Sequence, residues 1–175
     1  VAGKTLGVIG CGRLGSKVSR TAVSLGMKVI AYDPYISRFP SGVEVKSSQL
    51  DLLSNADIVS LHVPLLDETK HLISHNEVSQ MKTGVVIINT SRGAIIKTSA
   101  LLNGLNSKHI LSAALDVVED EHLMKGATHP LVEYACKHDN LLITPHIGGA
   151  TFESVEKTDL FILENYYKSI ADNDE

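Results

Sequence analysis

The feature that most constrains this chain is a hexapeptide, Gly10-Cys11-Gly12-Arg13-Leu14-Gly15, set between two segments of opposite character. Residues 6–9, just before it, form an uninterrupted apolar run, the pattern of a short buried strand. After it, Leu14, Val18, Ala22 and Leu25 recur at steps of four, four and three, which predicts a helix over residues 13–25, and Gly26 stands where a helix end favours glycine. A strand that turns at once into a helix leaves little space in the turn. Gly10 permits the sharp turn, Gly12 lets a ligand approach the backbone, and Gly15 lets helix and strand pack closely. The free N–H groups and the positive dipole end of a helix opening there attract a diphosphate. A glycine triplet alone is a weak signal; the strand before it and the helix behind it make it specific.

A second strand is expected over residues 28–32, and Asp33 closes it, about 20 residues beyond the glycines as a dinucleotide fingerprint requires. A carboxylate at that place accepts hydrogen bonds from both hydroxyls of an adenosine ribose and repels a 2′-phosphate. Pro34 and Tyr35 follow, with no basic residue, so NAD is expected rather than NADP. The competing reading makes Asp33 a turn residue before a proline. The joint arrival of glycines, helix and acid favours the cofactor role.

The same alternation continues to the end of the chain. Strands are expected over 58–61, 85–89, 111–115 and 141–143, and helices over 48–53, 75–81, 98–105 and 151–172. Ser47 or Ser48 is available to cap the first of these helices. Apolar strands alternating with helices predict an α/β fold of the Rossmann type: a doubly wound parallel sheet in three layers, covered on both faces. Residues 118–139 mix charge with Gly126 and Pro130 and read as an irregular, functional loop.

Composition narrows the class. A length of 175 residues suits one domain, residues 1–175, and 43% hydrophobic residues with 21% charged is ordinary for a globular chain. The net charge of −4, with both signs mixed along the chain, argues against a nucleic-acid or anionic-membrane partner, and no apolar run could span a bilayer. Cys11 and Cys136 are isolated, so neither a disulfide framework nor a metal site is expected, and the reducing cytoplasm is the expected location. The first methionine is Met27 and no signal peptide is evident, which suggests a piece of a longer chain.

Three polar residues are expected just past strand ends, where open α/β sheets bind ligands. They are Arg92 after the fourth strand, Glu121 five residues past Asp116, and His146 after the sixth. An arginine clamps a carboxylate in bidentate fashion, a histidine exchanges the proton that accompanies hydride transfer, and a glutamate beside it raises its pKa. The remaining histidines, His62, His71, His75, His109, His122, His129 and His138, show no such setting and read mostly as solvated or capping. On spacing alone, Arg92 could equally pair with a surface acid.

Several segments together resemble the coenzyme domain of the D-isomer-specific 2-hydroxyacid dehydrogenases. They are residues 3–10 with the glycine loop, Tyr32-Asp33-Pro34, residues 56–64 with Thr69, Met81-Lys82, Ile88-Asn89-Thr90-Ser91-Arg92-Gly93, Ala114-Leu115-Asp116-Val117 and Thr144-Pro145-His146-Ile147-Gly148-Gly149-Ala150-Thr151. The resemblance implies NAD as cofactor and a D-2-hydroxy acid or 2-keto acid as substrate. It implies that Arg92 binds the substrate's carboxylate and carbonyl, that His146 is the acid/base and that Glu121 is its partner. Arg13 and Leu14, beside Gly10, Gly12 and Gly15, would lie against the pyrophosphate. Val63, Pro64 and Thr69 would line the adenosine side, opposite Asp33. Thr90, Ser91 and Gly148 would border the nicotinamide, with Arg92 and His146 also near the cofactor and Asp116 near the carboxamide. It further implies a homodimer formed through this domain.

Two departures stand out. His122 occupies the place where the family has a proline after its glutamate, so Glu119 is the fallback for Glu121. The family's substrate domain is expected to be absent from this chain, so NAD binding without efficient turnover is the expected behaviour of the chain alone. A relative that serves as an NAD(H)-sensing corepressor is the alternative from another functional class, and one that has lost catalysis is a third; intact Arg92 and His146 weigh against the latter.

Overall fold

The computed structural model describes residues 1–123 and 128–171. Among them two compact units separate, one running to Thr144 and the other beginning at Pro145.

The first unit is a seven-stranded, wholly parallel sheet in the order β3-β2-β1-β4-β5-β6-β7. The strands are β1 (Thr5–Ile9), β2 (Lys28–Tyr32), β3 (Val43–Val45), β4 (Ile58–Leu61), β5 (Val85–Asn89), β6 (Ile110–Leu115) and β7 (Leu141–Ile143). Between them run α1 (Arg13–Ser24), α2 (Gln49–Asn55), α3 (His75–Gln80), α4 (Thr98–Asn106) and α5 (Pro130–Ala135). The chain moves outward from β1 through β2 to β3, then returns to the other side of β1 at β4. Strand order therefore reverses between β1 and β4, and a crevice must open there at the carboxyl ends of the strands.

Alternation along each strand divides the core in two. Leu6 and Val8 of β1 join Val29 and Ala31 of β2 beneath Ala22 of α1. Ile9, Ile30, Val59 and Leu61 join Leu52 and Leu53 of α2 and Leu101 and Leu105 of α4 on the opposite face. Leu52, Leu53 and Leu101 are fully buried, each contributing about 1.5–3 kcal/mol of transfer free energy.

The expected three layers are present, with local differences. The buried stripe of α1 is Gly15, Ser19 and Ala22, while Leu14 and Leu25 are both 56% exposed. The polar Ser19 is tolerated inside because its hydroxyl donates to the Gly15 carbonyl at 2.8 Å. Along the register row Val8, Ser60, Ile88, Ala114, Leu142, burial falls from complete at Val8 to 63% exposure at Leu142. The short edge strand β3 was not expected. Neither was α5, inside the stretch read as irregular: Pro130 sits at its first turn and the His129 ring nitrogen caps it by accepting the Leu131 N–H at 3.1 Å. Ser48, not Ser47, caps α2 by accepting the Asp51 N–H.

The second unit consists of the segment from Pro145 and α6 (Phe152–Ala171). Its apolar residues Phe152, Phe161, Ile162, Tyr166 and Tyr167 are exposed. Among the described residues no helix is long and apolar enough to cross a membrane.

Candidate cofactor cleft and reaction site

The carboxyl ends of the strands place the functional segments in a row. Gly10 follows β1, His62 follows β4, Asp116 follows β6 and Thr144 follows β7, each N–H donating to the last carbonyl of the neighbouring strand. The glycine turn is sterically compelled. Gly10 has φ +84°, and a Cβ there would lie 2.7 Å from the His62 carbonyl oxygen. A Cβ on Gly15 would lie 2.0 Å from the Gly10 carbonyl oxygen. A Cβ on Gly12 would meet no protein atom within 4 Å, so that glycine faces open space at the start of α1. Gly12 is the N-cap and no side chain caps the helix, which leaves its first N–H groups for an anion. An open, uncapped helix start of this kind fits a dinucleotide diphosphate.

Asp33 reaches back to this turn. Its Oδ2 accepts the Cys11 N–H at 2.9 Å and its Oδ1 accepts the Tyr35 N–H at 2.9 Å. The carboxylate thus braces both the glycine loop and the bend after β2, and each oxygen keeps a lone pair for a hydroxyl. A cleft of about 590 Å³ opens beside it, lined by Gly10, Gly12, Asp33, Val63, Pro64 and Thr69 among others. Thr69 shapes the far wall: its hydroxyl accepts the Leu66 N–H at 2.7 Å and donates to the Pro64 carbonyl at 2.6 Å. At the rim, the Tyr35 hydroxyl donates to Glu68 Oε1 at 2.6 Å, which raises the phenol's pKa.

The loop after β5 carries Thr90, Ser91 and Arg92. Buried Asn89 holds it, donating to the Arg92 carbonyl and accepting from both the N–H and the hydroxyl of Ser91. The exposed Arg92 side chain donates from Nη1 to the Ser91 carbonyl at 2.7 Å. Gly93 lets this loop press against the one after β6, because a Cβ there would lie 2.0 Å from the Val118 carbonyl oxygen. On that second loop Asp116 is buried and accepts the Thr144 hydroxyl at 2.5 Å, and Glu121 Oε2 accepts the Val118 N–H at 3.4 Å.

Comparison with known proteins places the fold in a family. Residues 1–148 match the sequence model of the D-isomer specific 2-hydroxyacid dehydrogenase, NAD binding domain. The chain belongs to this family. It is 38% identical to the hydroxypyruvate reductase of Thermotoga maritima over 97% of this chain and 54% of that protein. It is 42% identical to D-3-phosphoglycerate dehydrogenase of Escherichia coli K12 over 90% of this chain and 38% of that protein. A D-lactate dehydrogenase from Aquifex aeolicus, solved with NAD and lactic acid, superposes with a TM-score of 0.82 at 36% identity, covering 95% of this chain and 54% of that one. The chain therefore spans about half the length of these relatives, or less.

For a 2-hydroxyacid dehydrogenase NAD-binding domain, the expected cofactor residues fall into clear groups. Gly10, Gly12, Asp33, Val63, Pro64 and Thr69 share the one cleft. Arg13 and Leu14 stand exposed at the mouth of α1, with Gly15 packed behind them, and Leu14's exposure there explains its absence from the helix's buried stripe. Thr90, Ser91, Arg92 and Asp116, with Glu121, the expected partner of the acid/base, occupy the two abutting loops after β5 and β6. His146 and Gly148 belong to the second unit, where His146 is exposed and has φ +54°. A non-glycine residue in that left-handed region is uncommon and concentrates at functional sites.

Two of the histidines read as unremarkable are not solvated. His62 lines the cleft; its Nε2 contacts the Ser60 hydroxyl at 2.9 Å, its Nδ1 is buried, and burial pushes its pKa down. His71 is hydrogen-bonded to Glu119, so the fallback glutamate already has a histidine of its own. Asn89 was also missed, although an asparagine ending a β-branched run before Thr-Ser is a recognisable turn signal.

Proposed function

We propose that this chain is the cofactor-binding portion of an NAD-dependent oxidoreductase acting on a D-2-hydroxy acid or its 2-keto counterpart. The observation that carries the reading is the glycine cradle: an uncapped helix start with open space at Gly12, next to a cleft bearing Asp33. Bound NAD supplies hydride exchange at the nicotinamide ring. The chain's own residues do the rest. Asp33 holds the adenosine ribose and disfavours a 2′-phosphate. Arg92 takes the substrate carboxylate and polarises its carbonyl. His146 donates or removes the hydroxyl proton, and Glu121 orients its ring and favours its protonated form. Much of the rate then comes from orientation.

The test is the natural full-length polypeptide with NADH and a panel of 2-keto acids. Turnover of at least one D-specific substrate, lost in Arg92→Gln and His146→Gln with NADH affinity retained, supports the reading. Full activity in either variant contradicts it. We further read the domain as cytoplasmic, which fractionation of its cells checks, and as the contact surface of a homodimer, which light scattering of the purified protein checks.

A further inference from the structure

The contact between His71 and Glu119 is used by nothing described so far, yet it joins three loops. His71 Nε2 is hydrogen-bonded to Glu119 Oε1 across 48 residues of sequence. The other carboxylate oxygen, Oε2, accepts the N–H of Thr98, the first residue of α4, at 3.0 Å. The partners come from the segments that follow β4, β5 and β6. The Glu119 side chain is only 18% exposed and that of His71 34%. His71 adopts φ +54°, and its N–H donates to the Ala94 carbonyl at 2.8 Å. The backbone is thus turned to present the imidazole. A carboxylate withdrawn from water is costly unless its oxygens are satisfied. Here both are: burial opposes ionisation, but the hydrogen bonds from His71 and Thr98 outweigh it and hold the pKa below the usual carboxylate range.

We propose that Glu119 is a positioning residue that, with His71, fixes the loop bearing Glu121 to the wall of the cofactor cleft. The loop has two anchors just upstream of Glu121. Val118 is pressed against Gly93, and Glu119 is tied to His71 and Thr98. Asp120, at φ +55°, makes the turn between Glu119 and Glu121, and the Glu121 side chain returns to the Val118 N–H. On the other side, His71 lies between Thr69 and Leu72, both of which line the cleft. Seating of the cofactor's wall and aim of Glu121 are therefore set by one carboxylate. The inference rests on the reading of Glu121 as the partner of His146.

The experiment compares Glu119→Ala, Glu119→Gln, Glu121→Gln and the double variant Glu119→Ala/Glu121→Gln in the natural full-length polypeptide, reading the pH profile of kcat/KM. Glu121→Gln should lower the apparent pKa of the acid/base histidine. Glu119→Ala should reproduce that shift. Glu119→Gln should restore most of the normal profile, because its amide can still accept from Thr98 and donate to His71. The double variant should be no slower than Glu121→Gln. Should Glu119→Ala fail to fold, His71→Phe is measured in its place, with the same expected shift. A Glu119→Ala protein that melts earlier but keeps the normal profile overturns the inference, as does a double variant whose losses multiply. An unmoved profile in Glu121→Gln itself overturns the reading of Glu121, and this inference with it.

Discussion

Asn89 and Arg92 are joined through the backbone: Asn89 Nδ2 donates to the Arg92 carbonyl at 2.9 Å while its Oδ1 accepts the Ser91 N–H at 3.0 Å and hydroxyl at 2.8 Å. One buried amide thus fixes the three-residue turn from which the arginine projects. Asn89→Ala leaves those partners unpaired and should cost about 1–3 kcal/mol of stability. In the full-length polypeptide it should lower kcat/KM for the keto acid about tenfold or more, a difference of about 1.4 kcal/mol. Affinity for NAD should fall by a smaller factor, since Asn89 is not part of the cleft wall and the loop it holds is expected to meet only the nicotinamide end of the cofactor. Thermal melts and steady-state kinetics check both; a variant with weakened NAD binding and normal substrate kinetics contradicts the assignment.

Gly12, the N-cap of α1, and Gly15, in its first turn, are three residues apart and should fail differently. A methyl group on Gly15 collides with the Gly10 carbonyl, so Gly15→Ala should destabilise the fold by about 1–3 kcal/mol or more. A methyl group on Gly12 meets no protein atom, so Gly12→Ala should fold with a stability change within about 0.5 kcal/mol yet lose cofactor affinity. Melting temperature and NAD titration on both variants separate the roles. Equal effects on both properties would show that Gly12 does not face a ligand.

Asp57 gives the fold a pH signature. Its Oδ2 accepts the Thr5 N–H at the start of β1 at 2.8 Å and its Oδ1 pairs with Lys82 at 3.0 Å. Those two contacts outweigh partial burial and hold the carboxyl below its ordinary range. A depressed folded-state pKa means the stabilisation is complete above the unfolded-state value and is lost as pH falls through the folded one. Asp57→Ala should therefore cost about 1–2 kcal/mol at neutral pH, and the gap to the parent protein should narrow as pH falls below the ordinary carboxylate range. Urea melts across that range test it; a gap that widens on acidification contradicts it.

What the sequence made legible was local. Gly10, Gly12, Gly15 and Asp33 lie within one β1-α1-β2 unit, so their spacing, with the apolar run before them and the helical period behind them, marked the turn. The strands β1, β2, β4 and β5 were visible as apolar runs because parallel strands are buried on both faces, and β6 and β7 keep such runs although Leu111 and Leu142 are exposed. Three-residue β3 carries no such run, and α5 hid in a charged stretch because His129, an unusual cap, begins it. The His71–Glu119 contact could not be read at all, since it depends on three loops meeting after the sheet has formed. Leu14 and Leu25 share the helical period with the apolar face, yet the face of α1 that packs on the sheet is that of Gly15, Ser19 and Ala22, whose small side chains carry little hydrophobic signal.

The central claim is that the turn after β1, with Asp33, holds the diphosphate and ribose of NAD. Isothermal titration of the purified chain with NAD and with NADP tests it most directly, using Asp33→Ala as the third arm. Saturable NAD binding, weaker NADP binding and a narrowed preference in Asp33→Ala are expected. No binding of NAD to the folded chain, or tighter binding of NADP, would contradict it.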